Sequence, residues 1–194
     1  MMRTMATGDQ SPEFDDLLRE MIVVFEGANE GFLGAETKSI LDGLSERNLC
    51  GSLKDHFQRA ILQTRYCTYY VDVEYNRNDG KLKTIINGQL GPISITCDLI
   101  LHSRGQIVSQ DNLIAVEMKR NTHSKEEKDK DKLRLKCLTK DSFDDVWSFD
   151  GKVLPEHVCR YILGVYYELN ADKREVSVKY YAKGKLLKEY PVKF

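Results

Sequence analysis

Two short stretches put charge where apolar side chains would be expected. In Ile95-Thr96-Cys97-Asp98-Leu99-Ile100-Leu101 an aspartate opens an apolar run, and in Leu113-Ile114-Ala115-Val116-Glu117-Met118-Lys119 a glutamate and a lysine close another. Charge in an otherwise buried strand costs several kcal/mol unless it is paired or bound to a metal. Side chains alternate along a strand, so Glu117 and Lys119 share one face and Met118 takes the other. If the two strands pair through the 103–112 connection, Asp98 and Glu117 converge at one edge. Those carboxylates and the Met118 backbone carbonyl then form an oxygen cage suited to Mg²⁺, with Mn²⁺ as a substitute. A cation there would acidify a bound water and neutralise charge developing on a phosphoryl oxygen. Lys119, about 6–7 Å along the strand from Glu117, is placed to orient that water and stabilise an anionic transition state. A buried Asp98–Lys119 ion pair without metal is the competing account.

The elements that must position these groups can be read from periodicity. Ser11-Pro12-Glu13 offers a cap, a first-turn proline and an acidic start to a helix that runs through Leu17, Leu18, Met21, Ile22 and Phe25 to Gly27. Two glycines in 28–35, following Gly27, predict a break, and a second helix is expected from Glu36 to about Gln63. Tyr66 to Tyr75 is β-branched and aromatic and reads as a strand, closed by a turn at 76–80. Further strands are expected at Ile93–His102, Leu113–Lys119, Arg160–Leu169 and Glu175–Tyr181, the last two joined by a turn at 170–173. Between them lies a charged helix over 124–140, with Leu133, Leu135 and Leu138 as its weak apolar stripe. Ser124 and Glu127 at its start have capping-box spacing. Residues 81–92 and 141–156 read as connections. The order helix, helix, three strands, helix, two strands implies a mixed sheet of the α/β or α+β type.

Asp98 followed after a turn by Glu117-Met118-Lys119, with a helix before and a helix after, resembles the PD-(D/E)XK nuclease superfamily. More narrowly the chain resembles an uncharacterised bacterial group within it, through Ser45-Glu46-Arg47-Asn48-Leu49, Glu74-Tyr75-Asn76-Arg77, Asp98 to Gly105, Asn112 to Lys119 and Asp131-Lys132-Leu133. The proline that often precedes the aspartate is Cys97 here; that proline ligates nothing. The resemblance implies a restriction-endonuclease-like αβββαβ core, a central mixed sheet flanked by helices. It also implies a divalent metal and hydrolysis of a nucleic-acid phosphodiester, DNA in the first instance. It assigns Glu46 to the metal beside Asp98, Glu117 and the Met118 carbonyl, and lets Asp131 and Lys132 support the site. A catalytically inactive module of the same fold, binding nucleic acid or a partner protein, would carry much the same residues. By analogy with other domains of this fold, a homodimer or a partner subunit is reasonable.

Weaker candidates surround this set. Glu74, Tyr75 and Asn76 end a strand beside the expected site and are placed to touch substrate, though Asn76 serves equally as a turn initiator. Arg104, Arg120, Lys125, Lys128 and Lys132 are phosphate contacts or solvated side chains. His56, His102, His123 and His157 show no ligand spacing, and His102 reads as a satisfied core histidine. Tyr66, Tyr69 and Tyr75 suit sheet packing better than base stacking.

Composition sets the outer limits. The 194 residues suffice for one domain spanning 1–194, with a loose tail at 1–11 and a helical extension at 12–44. The hydrophobic fraction of 41% is too high for disorder, yet no apolar run reaches a membrane span, and 1–10 lacks a signal-like core, so a cytoplasmic protein is expected. Cys50, Cys67, Cys97, Cys137 and Cys159 lack paired spacing, which points to buried thiols and not to a disulfide framework or a zinc site. The net charge of −1 conceals a gradient: residues 1–46 carry three basic and ten acidic side chains, 119–140 nine and four, and 170–194 seven and three. The basic stretches fit either a solvated helix and tail or a face for a polyanion.

Overall fold

The computed structural model describes residues 12–74, 77–78, 81–82, 84–87, 91–94, 96–141 and 159–194. Helix α1 spans Pro12–Leu41 and α2 spans Glu46–Ile61; the strands that follow are β1 Tyr70–Val73, β2 Arg77–Asn78, β3 Lys81–Leu82, β4 Thr84–Asn87, β5 Gly91–Ser94, β6 Leu99–His102 and β7 Asn112–Arg120. Helix α3 Lys125–Leu138 then precedes β8 Leu163–Asn170, β9 Glu175–Ala182 and β10 Lys185–Lys193. Six strands form one mixed sheet in the order β1-β6-β7-β8-β9-β10, with β7 and β8 parallel and every other neighbour antiparallel. The pairs β2–β3 and β4–β5 are separate two-stranded ribbons. The fold is therefore α+β, and among its described helices none is long and apolar enough to cross a membrane.

Alternation divides the sheet residues between two packed layers. Leu99, Val116, Met118, Val165, Tyr167 and Val178 face α1 and α2, where they meet Met21, Phe25, Phe32, Leu53 and Phe57. Phe25 sets its edge against both Tyr167 and Tyr180, and the buried Tyr167 hydroxyl donates to Asn29 Oδ1 at 2.6 Å. On the opposite face Ile100, Ala115, Tyr166 and Tyr181 pack under Leu135 and Leu138 of α3. Helix α1 is thus part of the principal core.

Several expectations need correction. The break predicted at 28–35 does not occur, because Ala28, Phe32, Leu33 and Ile40 continue the buried stripe of α1 across it. Gly31 sits where α2 comes close: a Cβ there would lie 2.7 Å from His56 Nδ1. The helix ends instead at Gly43, φ +80°, where the Gly43 N–H reaches Ile40 O at 3.3 Å and the Leu44 N–H reaches Ser39 O at 3.1 Å, the paired hydrogen bonds of a Schellman motif. The strand expected over 66–75 shrinks to Tyr70–Val73, since 62–69 is spent on turns in which Tyr66 and Tyr69 pack edge to face. The strand expected over 93–102 is two elements, β5 and β6. Leu133 does not belong to an inner stripe of α3; it is half exposed, and the buried residues there are Asp131, Leu135, Cys137 and Leu138. The segment expected to be a basic tail contains β10, joined to β9 by Lys183-Gly184 with both φ positive, the demand of a tight two-residue hairpin.

Other readings hold. Ser124 and Glu127 form the capping box in both directions. His102 is buried with Nε2 3.0 Å from Asp72 Oδ2. All five cysteines are free, and only Cys67 is exposed. The tail at 1–11 and most of the 141–156 connection lie outside the described residues.

Candidate active site

Strand register brings the two expected carboxylates together. Leu99 pairs with Val116, so one step outward Asp98 faces Glu117 on the side of the sheet covered by α3. Asp98 Oδ2 accepts the Met118 N–H at 2.8 Å, which fixes its carboxylate against the residue between Glu117 and Lys119. Glu117 is wholly buried. Its Oε1 accepts a 2.7 Å hydrogen bond from Arg134 Nη1 of α3, while its Oε2 is buried without a hydrogen-bond partner.

Lys119, two residues on, projects from the same face. Its Nζ lies 3.2 Å from Asp131 Oδ2, an ion-pair contact lacking the direction of a hydrogen bond, and 3.7 Å from Glu46 Oε2. Glu46 reaches the cluster because it opens α2. Ser45 caps that helix through the Asn48 N–H at 3.3 Å, and a carboxylate in the first turn suits the helix dipole. Glu46 Oε1 accepts the Arg120 N–H at 2.7 Å and lies 2.9 Å from His123 Nε2. The four residues singled out from the sequence therefore meet at one end of β7, joined by Asp131, Arg134 and His123.

The electrostatics follow from crowding. Burial, reinforced by Asp98, pushes Glu117 up to about 8 against the pull of Arg134. Burial also raises Asp98, although the Met118 N–H and Lys119 oppose it. For Lys119 burial alone would lower the ammonium, but Asp98, Asp131 and Glu46 outweigh it and raise it. Beneath the cluster, Cys50 Sγ lies 3.8 Å from Met118 Sδ, and burial beside these carboxylates lifts its thiol far above the usual range. Among the described residues, the permanent cations paired within this carboxylate cluster are Lys119 and Arg134.

As the side chains stand, no group of three His, Cys, Asp or Glu among the described residues is arranged to hold a metal ion. Glu117 is turned to Arg134, and Glu46 to Arg120 and His123. The donor set nevertheless fits a hard divalent cation. It consists of carboxylate oxygens, it is short of positive charge, and it includes a buried oxygen, Glu117 Oε2, that nothing satisfies.

The remaining candidates separate. Glu74 lies at the rim: its N–H donates to Asp98 O at 3.2 Å, its φ is +52°, and its carboxylate pairs with Arg47 at 3.2 Å. Lys132 Nζ lies 5.1 Å from the Tyr166 ring centroid and 3.1 Å from Asp129 Oδ1, along the helix from the cluster. Arg120 is engaged within the fold: its guanidinium donates to Ile40 O and Leu44 O and so ties down the end of α1. Arg104 is at the far end of β6, paired with Asp72 and set 4.2 Å above the Tyr70 ring centroid. Lys128 is engaged by Glu168 Oε1 at 2.9 Å and by Asn121 O at 2.7 Å. Tyr75, Asn76 and His157 lie outside the described residues.

Sequence reading missed Arg134 and His123. Arg134 carried one usable signal, its place three residues after Asp131 on the face of α3 that turns to β7. Comparison with family models, curated proteins and solved structures found no match for this chain.

Proposed function

We propose that this chain is a metal-dependent nuclease that hydrolyses phosphodiester bonds of nucleic acid, with DNA as the substrate to test first. The observation that carries the reading is the wholly buried Glu117 carboxylate, facing Asp98 with one oxygen unsatisfied. With the β2–β3 and β4–β5 ribbons set aside, the succession α2-β1-β6-β7-α3-β8 supports it, because this is the helix–three strands–helix–strand order that the PD-(D/E)XK resemblance implies.

Asp98, Glu117, the Met118 carbonyl and, through α2, Glu46 would hold a Mg²⁺ or Mn²⁺ ion, which supplies Lewis acidity and an ionised water. The chain's own groups do the rest. The Met118 N–H holds Asp98 through Oδ2, which leaves the other carboxylate oxygen outside that bond. Lys119 holds a fixed positive charge amid Asp98, Asp131 and Glu46, where it favours added negative charge on a phosphoryl group. Further lysines lie along α3 and on the β9–β10 hairpin at the edge of the sheet. Their pairs, such as Lys130–Glu126 at 2.8 Å and Lys179–Glu189 at 2.6 Å, are solvent-screened and readily exchanged for phosphate.

The Arg134–Glu117 pair favours a second reading, an inactive module of this fold whose metal position is filled by a side chain. Incubation of supercoiled, linear and single-stranded DNA and of RNA with Mg²⁺, Mn²⁺ or EDTA separates the two. Metal-dependent cleavage lost in both Asp98→Asn and Lys119→Ala supports the nuclease; cleavage retained in both variants removes it.

A further inference from the structure

Arg134 pairs with Glu117 in an unusual way. A buried glutamate held for structure alone is best served by the two-pronged guanidinium fork, which satisfies both carboxylate oxygens. Here only Nη1 reaches Glu117, at 2.7 Å to Oε1, and that same nitrogen lies 3.2 Å from Asp131 Oδ1. Glu117 Oε2 remains buried and unpartnered. The Glu117 side chain is 1% exposed and Asp131 7%, but Arg134 is 26% exposed, so its side chain is the member of the trio that meets solvent most. Asp131 sits one helical turn before it on α3 and already shares Arg134 Nη1, so it offers the guanidinium a second carboxylate beside Glu117.

We propose that Arg134 is a resident counter-cation which competes with a divalent metal ion for Glu117, so that metal entry requires the guanidinium to move off that carboxylate toward Asp131 and solvent. The inference rests on the metal-site reading above. It follows from charge and geometry together. Arginine stays protonated at every accessible pH, so the guanidinium leaves the carboxylate by moving and not by losing its own proton. A divalent ion brings twice the charge and can use the oxygen that Arg134 leaves unsatisfied. The freed guanidinium then stands at the mouth of the cluster, next to Lys119 across Asp131, with its charge directed to an incoming anion.

The test is Mn²⁺ binding by calorimetry, at one fixed pH, on the wild-type chain, Arg134→Gln and Arg134→Lys. Competition predicts that Arg134→Gln binds Mn²⁺ about tenfold more tightly than wild type, within the usual range of coupling between two sites. It predicts that Arg134→Lys stays within about threefold of wild type, because the charge is kept. Wild-type binding with an Arg134→Gln affinity that is equal or weaker overturns the proposal and leaves the metal site standing. No Mn²⁺ uptake by either protein removes both. Should Arg134→Gln fail to fold, the wild type decides by its nitrogen-labelled arginine side-chain signals. The Arg134 signal, assigned by its absence in Arg134→Lys, must shift with added Mg²⁺ at the binding midpoint; an unmoved signal overturns the proposal.

Discussion

Asp98 Oδ2 accepts the backbone N–H of Met118 at 2.8 Å, so the carboxylate at the mouth of β6 is anchored to the very strand that carries Glu117 and Lys119. The bond crosses the two strands where their ladder runs out beyond Leu99–Val116. It ties chemistry to fold at one atom, and the two can be separated by substitution. In Asp98→Asn the amide oxygen can still accept from Met118, so thermal stability should change by no more than about 1 kcal/mol. The loss of negative charge should lower metal-dependent cleavage by about 100-fold or more. Matched unfolding curves and cleavage rates check this; a variant that loses stability as sharply as activity would give Asp98 a structural role only.

Lys119 stands between Glu46 and Asp131, at 3.7 Å and 3.2 Å. Lys119→Met keeps the stem and removes the charge, leaving crowded carboxylates with less compensation. The metal-free protein should lose about 1–3 kcal/mol. Added Mg²⁺ should return part of that loss if the cation enters the cluster. Urea unfolding of both proteins, with EDTA and with Mg²⁺, measures the difference.

Stability should fall as pH rises from about 4.5 to about 8. The Glu117 carboxyl is raised from 4.5 to about 8 by burial and by Asp98, so in this window the folded chain holds a proton that the unfolded chain has released. Unfolding then gives up protons, and the slope reaches at most about 1.4 kcal/mol per pH unit for one such group. Asp98, also raised, contributes in the same direction at lower pH. Asp72 acts oppositely. Burial would raise it, but Arg104 and His102 together hold it below the usual range, so its contribution is present above its unfolded value and is lost as acid protonates it. Glu117→Gln should flatten the neutral-pH slope, and denaturant midpoints at pH 5, 6, 7 and 8 will show whether it does.

Charged residues inside apolar strands were conspicuous in the sequence, and Asp98, Glu117 and Lys119 meet because alternation and pairing are simple geometric rules. Glu46 needed the resemblance, since nothing in Ser45-Glu46-Arg47 separates a site residue from an ordinary first-turn acid. Arg134 was hidden for the opposite reason: in a helix as charged as 125–138, an inward arginine looks like its solvated neighbours until the sheet beneath is known. Strand β10 was hidden because it is an exposed edge, so Lys185–Lys193 has no apolar alternation to announce it. The continuity of α1 was obscured by three glycines whose meaning lies in what they face.

Those glycines supply a stability test. A methyl group normally favours a helix by about 0.5–1 kcal/mol over glycine. At Gly27 and Gly34 the added Cβ meets nothing within 4 Å, so Gly27→Ala and Gly34→Ala should each stabilise the chain by up to about 1 kcal/mol. At Gly31 the same methyl would lie 2.7 Å from His56 Nδ1, whose ring is set edge-on to Phe32 with centroids 6.3 Å apart. Displacing that ring should outweigh the gain in propensity and destabilise Gly31→Ala by about 1–3 kcal/mol. Adding His56→Ala removes the obstacle, so Gly31→Ala should become stabilising in that background. A double-mutant cycle by thermal or urea unfolding reads the reversal directly, and the same sign for Gly31→Ala with and without His56 would show that α2 does not approach α1 through this position.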